Sequence, residues 1–371
     1  MADKKVLEQK LEELQKDYSK TKYNKATNTY LGLLRHKMAL IRKTLSEKKR
    51  RRGAGFAVKK TGDATVVMVG FPNAGKSSLL GRLTEAESKV ADYAFTTLDV
   101  IPGMLKYEGA SIQLLDVPGL IEGAHAGKGA GTQIASVMRV ADLLLFVIDA
   151  TAPDQIHKLT EELSLLDIKV NREKPRVLVE EKKGGGVEVE ANRHTVPSKR
   201  EVEAVLHEIG TYNCKVIFYN DTDIDELIAV LVDNAVYTRG IIALNKVDLL
   251  SDSKTDQVRR ELEAKTRMRV VPVSAEQNSN IDRLKEAIFS NLSLMRIYLK
   301  PKYGVADYAK PFVLREGGTV ADLAKGLHTK AAKNLKHALV TGKSARFAEQ
   351  KVGKEHELRD GDVVTLVYDK F

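Results

Sequence analysis

Gly70-Phe71-Pro72-Asn73-Ala74-Gly75-Lys76-Ser77 fits the spacing GxxxxGK[ST]. An apolar run, Thr65-Val66-Val67-Met68-Val69, precedes it and reads as a buried strand. Ser78-Leu79-Leu80-Gly81-Arg82-Leu83 follows and reads as a helix. Strand, glycine-rich loop and helix in that order point to a phosphate-binding loop rather than a chance turn. The glycines allow backbone conformations that turn several N–H groups inward on phosphates, and the positive end of the helix faces the same anion. Lys76 supplies a point charge for the β and γ oxygens, and Ser77 a hydroxyl ligand for Mg²⁺. The expected ligand is a nucleoside triphosphate held by Gly70, Phe71, Pro72, Asn73, Ala74, Gly75, Lys76, Ser77 and Ser78.

Downstream, Ile241-Ile242-Ala243-Leu244-Asn245-Lys246-Val247-Asp248 is an apolar strand ending in NKxD, the guanine-reading pattern of P-loop GTPases. Asp248 can accept from both the ring N–H and the exocyclic amino group of guanine, whereas adenine would leave the carboxylate unpaired. A charged hydrogen bond is worth about 1.5–3 kcal/mol, enough for roughly tenfold to over a hundredfold discrimination. Asn245 is expected to tie the base-binding loops together, and the Lys246 stem to cover the base. Val271-Pro272-Val273-Ser274-Ala275 is a further strand ending in Ser274-Ala275, which in such GTPases offers a backbone N–H to the guanine carbonyl. Between these elements, Ile112-Gln113-Leu114-Leu115-Asp116-Val117-Pro118-Gly119 is a strand ending in DxxG. There Asp116 is expected to hold Mg²⁺ through water, and the Gly119 N–H to contact the γ-phosphate. Asp92-Tyr93-Ala94-Phe95-Thr96-Thr97-Leu98-Asp99 sits where a first switch belongs. Its hydroxyls leave the Mg²⁺ ligand open between Thr96 and Thr97, with Thr97 preferred.

These stretches, GFPNAGKSSLL, DYAFTTLDVIPG and LLDVPGLIEGAHAGKGAG, resemble the Obg superfamily of translation-factor GTPases. The flanking segments correspond most closely to the developmentally regulated GTP-binding (DRG) family, over essentially the whole chain. The resemblance implies GTP and GDP as ligands, Mg²⁺ as cofactor, the ribosome or a structured RNA as partner, and a stabilising partner protein. It also implies catalysis by Lys76, Thr97 and Gly119. Where Ras-type enzymes place a water-orienting Gln, this chain has Leu120, which has no polar atom to hold water. Several GTPases with a hydrophobic residue there use a potassium ion near the phosphates, and Asn73 stands at the position that helps coordinate it. The alternative is that Asn73 only stabilises the turn. Glu122, His125, Lys128 and Thr132, in the expected second switch, are candidates for positioning water.

The chain has 371 residues, 43% of them hydrophobic, enough for two or three domains. Its charged start, MADKKVLEQK, is unlike a signal peptide, and no apolar stretch approaches the roughly 20 residues of a membrane span. A cytoplasmic protein without membrane contact is expected. The single cysteine, Cys214, excludes an intramolecular disulfide and a multi-cysteine zinc site. The net charge of +10 is unevenly spread: residues 1–60 carry 18 Lys and Arg against 6 Asp and Glu, and residues 297–371 carry 14 against 9. The middle is therefore acidic on balance, and the ends are the candidates for an anionic partner.

The expected fold class is α/β, a P-loop GTPase core of mostly parallel sheet with helices on both faces, over residues 61–165 and 236–294. Residues 1–60 read as a basic helical hairpin or helix-turn-helix ending in Lys48-Lys49-Arg50-Arg51-Arg52. That run suits an RNA or ribosome contact, a nuclear-import signal or a charged linker. Residues 166–235 form an inserted α/β subdomain, in which Arg176–Glu181 and Val187–Glu190 read as a hairpin around a triple glycine. The DRG resemblance likens this insertion to a ribosomal-protein domain. Residues 295–371 resemble a TGS domain, a ubiquitin-like β-grasp module, whose implied role is RNA or ribosome contact and whose alternative is packing. The functional expectation is a translation-associated enzyme that hydrolyses GTP to GDP and phosphate. The alternative is a GTP-dependent RNA- or ribosome-binding scaffold with incidental hydrolysis. An RNA-modifying enzyme is disfavoured, because no segment outside the core carries a recognisable catalytic cluster.

Overall fold

The computed structural model describes residues 2–21, 34, 37–38, 41, 61–84, 101–117, 137–192, 194–232, 235–327 and 334–368. In chain order they begin with helix α1 (Ala2–Lys20), strand β1 (Ala64–Val69), α2 (Lys76–Leu83), β2 (Ile101–Tyr107), β3 (Ala110–Asp116) and β4 (Leu143–Asp149). Next come α3 (Gln155–Leu165), β5 (Ile168–Val170), β6 (Val177–Glu181), β7 (Val187–Glu190), α4 (Lys199–Glu208), β8 (Cys214–Phe218) and α5 (Ile224–Val232). Then follow β9 (Val236–Asn245), α6 (Asp252–Thr266), β10 (Val270–Pro272), α7 (Ile281–Asn291), β11 (Leu294–Leu299) and β12 (Phe312–Arg315). Last are α8 (Val320–Leu327), β13 (Leu335–Thr341), β14 (Gln350–Val352) and β15 (Val363–Tyr368). The described residues fall into two units, one drawn from Met1–Ala57, Gly123–Arg139 and Thr160–Thr238, the other from Val58–Glu122, Val140–Leu159 and Arg239–Phe371.

The larger unit is organised by a sheet of order β10-β9-β4-β1-β3-β2. Every pair in it is parallel except β2 with β3. All six residues of β1 are buried, so its unbroken apolar run reflects a strand covered on both faces. Leu79, Leu80 and Leu83 of α2 join Leu284, Ala287 and Ile288 of α7 in one core with Val66, Met68, Ile112 and Leu114. Because the central strands run the same way, the loops after β1, β3, β4, β9 and β10 open on one edge, where ligands of such sheets bind. The expected α/β class holds.

β2 was not anticipated, because Pro102 and Gly103 break its strand pattern and only Gly103 and Leu105 are buried within it. Its place at the end of the sheet explains why a proline is tolerated. Gly103 leaves room for a neighbour, since a Cβ would lie 2.5 Å from Thr84 Cγ2 and push that side chain aside.

A second sheet in this unit has the order β12-β11-β15-β13-β14, with β11 and β15 forming a parallel pair at its centre and antiparallel neighbours outside. α8 contributes Val320, Leu323 and Ala324 to its core, and Thr319 caps that helix by exchanging hydrogen bonds with Asp322. Arg296 fastens this sheet to the first: it forks onto Asp360, reaches Glu108 Oε2 at 2.7 Å and lies over the Phe289 ring. Arg315 does the same through Asp142 Oδ1 at 2.8 Å, while Asp142 Oδ2 accepts from the Thr65 N–H at the start of β1.

In the smaller unit, β5 pairs in parallel with the opening residues of β9, Val236 to Thr238. The expected hairpin of β6 and β7 is not formed. β8 lies between them, antiparallel to β6 and parallel to β7. The observed order also suits the charges. A direct pairing would set the glutamates of the two strands against one another, whereas the intervening strand places Lys215 in register with both Glu180 and Glu188. Lys215 Nζ also reaches Glu190 Oε2 at 2.6 Å. β8 turns Cys214, Val216 and Phe218 into a core shared with Val202, Val205 and Leu206 of α4 and Ile224, Leu227 and Ile228 of α5. α4 begins with a capping box between Ser198 and Glu201. In the N-terminal segment α1 is a single helix, and Leu34, Met38 and Ile41 are buried. The turn at 21–29 and the basic run 48–52 lie outside the described residues, apart from Thr21.

Candidate nucleotide-binding site

The loop from Gly70 to Ser77 leaves β1 and enters α2 directly. Two glycines in it are dictated by close approach. A Cβ on Gly70 would stand 2.4 Å from the Val147 carbonyl oxygen of β4, and one on Gly75, at φ 87°, would stand 2.3 Å from Asn245 Nδ2. Asn73 also takes a left-handed conformation, at φ 63°. Ala74 is buried, and the Lys76 ammonium folds over the loop to donate to the carbonyls of Gly70 and Phe71, both at 3.0 Å. Burial holds the Lys76 pKa below its ordinary value, against the pull of Asp116. An anion beside this ammonium would relieve that cost, so the loop is electrostatically suited to phosphate.

Ser77 and Asp116 meet. The Ser77 hydroxyl donates to Asp116 Oδ2 at 2.8 Å, and Asp116 Oδ1 is buried with no hydrogen-bond partner among the described residues. A hydroxyl and a carboxylate with an unused buried oxygen, beside a phosphate-binding loop, form a hard-oxygen donor set that fits Mg²⁺. Asn73 is exposed, and its side chain has no hydrogen-bond partner among the described residues. Its amide oxygen can serve a monovalent cation.

On the base side, Asn245 at the end of β9 joins two loops. Its Nδ2 donates to the Ala74 carbonyl at 2.9 Å, and its Oδ1 accepts from the Ala275 N–H at 3.1 Å. Lys246, at φ 63°, starts the short 3-10 turn Val247–Leu249 that carries Asp248. Asp248 Oδ1 is buried and has no hydrogen-bond partner among the described residues. A buried carboxylate oxygen without a donor is costly, and a ligand bringing N–H groups would satisfy it. Lys246 Nζ reaches Asp149 Oδ2 at 2.7 Å. Asp149 ends β4 in register with Asn245, so the two parallel strands deliver the pair together. Burial raises the Asp149 carboxyl, but hydrogen bonds from Lys246 and Thr151 outweigh it and hold the group below its usual range. Ser274 and Ala275 are buried beside Asn245.

The structure therefore brings Gly70 to Ser78, Asp116, Asn245, Lys246, Asp248, Ser274 and Ala275 to one edge of the sheet. Thr96, Thr97, Gly119, Leu120, Glu122, His125, Lys128 and Thr132 lie outside the described residues. Sequence reasoning missed Asp149 and Arg82, the latter bound to the loop that follows β10. Asp149 carried a signal, an acidic residue closing an apolar strand parallel to the one that ends in Asn245. Arg82 carried none beyond its place on α2.

The family model described as a 50S ribosome-binding GTPase matches residues 65–182, and one for the C-terminal region of that domain matches residues 184–294. A TGS domain matches residues 295–368. The chain is 38% identical over 364 residues to developmentally-regulated GTP-binding protein 2 of Homo sapiens, covering 97% of this chain and 98% of that one. This chain belongs to the DRG family of GTP-binding proteins. Another relative, an uncharacterized GTP-binding protein of Methanocaldococcus jannaschii, is 39% identical over 370 residues, covering 97% of this chain and 93% of its own length. Among solved structures, the YchF GTPase of Schizosaccharomyces pombe is 14% identical, covering 84% of this chain and 99% of that one, with a TM-score of 0.47. The TGS match falls on the sheet built around the parallel pair β11 and β15, the β-grasp arrangement.

Proposed function

We propose that this DRG-family chain binds GTP and hydrolyses it to GDP and phosphate, and that nucleotide state changes its grip on the ribosome or on structured RNA in the cytoplasm. The observation that carries the reading is the partnerless buried Oδ1 of Asp248, beside an Asn245 that ties the phosphate loop to Ala275. Guanine supplies the two donors that carboxylate lacks. The phosphate loop binds the triphosphate through backbone N–H groups, and Lys76 exchanges its two carbonyl contacts for phosphate oxygens. Ser77 and Asp116 are the residues that would hold Mg²⁺, which when bound neutralises charge developing between the β and γ oxygens. Water attacks the γ-phosphate in line, with the Gly119 N–H assigned to that phosphate by its motif and the hydroxyl of Thr97, or of Thr96, to the Mg²⁺. Leu120 cannot orient that water, and Asn73 is assigned to a potassium ion that assists instead.

The association with translation draws on the ribosome-binding GTPase and TGS matches and on the positive ends of the chain. Steady-state GTP turnover with and without ribosomes tests the whole reading. Turnover that rises with ribosomes supports it. Nucleotide-dependent ribosome binding with no change in turnover favours the scaffold, and no binding in either state removes the translation role.

A further inference from the structure

Arg82 lies on α2, the helix that opens at Lys76, so one helix carries both the phosphate lysine and this guanidinium. Arg82 Nε donates to the Ala275 carbonyl at 2.9 Å and its Nη2 to the Glu276 carbonyl at 3.4 Å. One planar donor group thus holds two consecutive carbonyls of the loop after β10 in the fixed fork of a guanidinium. No peptide bond in the described residues is cis. In a trans peptide the N–H points opposite to the C=O, so the Glu276 N–H faces away from the side on which Arg82 holds the Ala275 carbonyl.

The neighbouring donors are already used. The Ala275 N–H donates to Asn245 Oδ1 at 3.1 Å, the Gln277 N–H to Ser274 Oγ at 3.0 Å and the Ser274 N–H to the Ser279 carbonyl at 3.2 Å. The Glu276 N–H is left without a protein partner among the described residues.

We propose that Arg82 is a positioning residue for base recognition, holding the Ala275–Glu276 peptide so that the Glu276 N–H donates to the O6 carbonyl of guanine. This rests on the guanine reading of Asp248 and deepens it. Asp248 reads the N1–H and the exocyclic amino group, while the oriented peptide reads the remaining polar atom of that edge. Adenine carries an amino group at the same place, so a fixed N–H there would meet a donor with a donor. Arg82 is exposed, and its side chain belongs to no core cluster, so replacing it alters the loop without removing buried packing.

The test measures equilibrium binding of GTP, 6-thio-GTP and ITP to the intact chain with Mg²⁺, in the wild type, Arg82→Met and Arg82→Lys. 6-Thio-GTP weakens the acceptor at position 6, its added bulk and more acidic N1–H being common to every variant compared, and ITP lacks only the exocyclic amino group. The wild type should prefer GTP to 6-thio-GTP by roughly two- to tenfold, the worth of one hydrogen bond. Arg82→Met should bring that ratio close to one while leaving the preference for GTP over ITP unchanged, and Arg82→Lys should retain part of the ratio. A ratio unaltered by Arg82→Met, including one in which all three nucleotides weaken in proportion, overturns the proposal, as does a wild type indifferent to sulfur at position 6. Failure of the guanine reading itself shows separately, as a wild type that does not prefer GTP to ITP.

Discussion

Lys246 Nζ stands 2.7 Å from Asp149 Oδ2, joining the lysine of NKxD to the end of the neighbouring parallel strand. The pair fixes the stem of Lys246 where the left-handed turn begins, next to Asp248. Asp149→Asn should destabilise the chain by about 1 kcal/mol at pH 7, a charged hydrogen bond discounted for the partial exposure of Lys246. The Asp149 carboxyl is held below its ordinary pKa, so the contribution is full above the unfolded value of about 3.9 and disappears as pH falls through the folded one. Denaturant melts of both forms should therefore differ at neutral pH and converge in acid. A gap that persists unchanged in acid would show that the effect is not that ion pair.

Ser77→Ala removes the hydroxyl that meets Asp116 and leaves the loop backbone in place. It should weaken nucleotide binding in Mg²⁺ by tenfold or more, about 1.4 kcal/mol. The same measurement in EDTA should show little difference between the two proteins. Equal loss with and without Mg²⁺ would assign Ser77 to the phosphate rather than to the ion.

Potassium makes a separate prediction through Asn73. At fixed ionic strength, KCl should stimulate turnover more than NaCl, and Asn73→Ala should abolish the difference. Because Asn73 sits at φ 63°, where alanine is strained, rates are compared at saturating nucleotide, and only the difference between the two salts counts. Equal wild-type rates in the two salts would remove the ion from the mechanism.

Most of this architecture is legible because its chemistry is local. The phosphate loop needs glycine where β4 and Asn245 crowd the backbone, and those two positions stand in the motif itself. The unbroken apolar runs of β1 and β4 announce strands buried on both faces. β2 was not legible, because an edge strand tolerates Pro102 and buries only two residues. The pairing around the triple glycine was misread for a different reason. Hydrophobic alternation identifies β6, β7 and β8 but is silent on which neighbour each takes, and the strand that separates β6 from β7 comes later in the chain than either. Arg82 was invisible for the same cause, since its partners lie almost two hundred residues along the chain.

The basic ends should confer steep salt dependence on RNA or ribosome binding, because each neutralised phosphate releases counterions. Replacing Lys48-Lys49-Arg50-Arg51-Arg52 by alanines should weaken sedimentation with ribosomes and flatten its salt dependence while GTP affinity stays the same. Unchanged cosedimentation across salt concentrations would leave that run as solvated surface.

Guanine recognition by Asp248 is the central claim, and its most direct test is an equilibrium titration of wild type and Asp248→Asn with GTP, ATP and xanthosine triphosphate. The carboxylate, whose Oδ1 is buried without a partner among the described residues, becomes an amide that can accept only through one oxygen. The wild type should bind GTP and ignore ATP at equal concentration. Asp248→Asn should lose more than tenfold in GTP affinity, a loss of over about 1.4 kcal/mol, and bind xanthosine triphosphate better than GTP. A mutant that retains wild-type GTP affinity, or a wild type for which ATP competes equally, would contradict the assignment of this edge of the sheet to guanine.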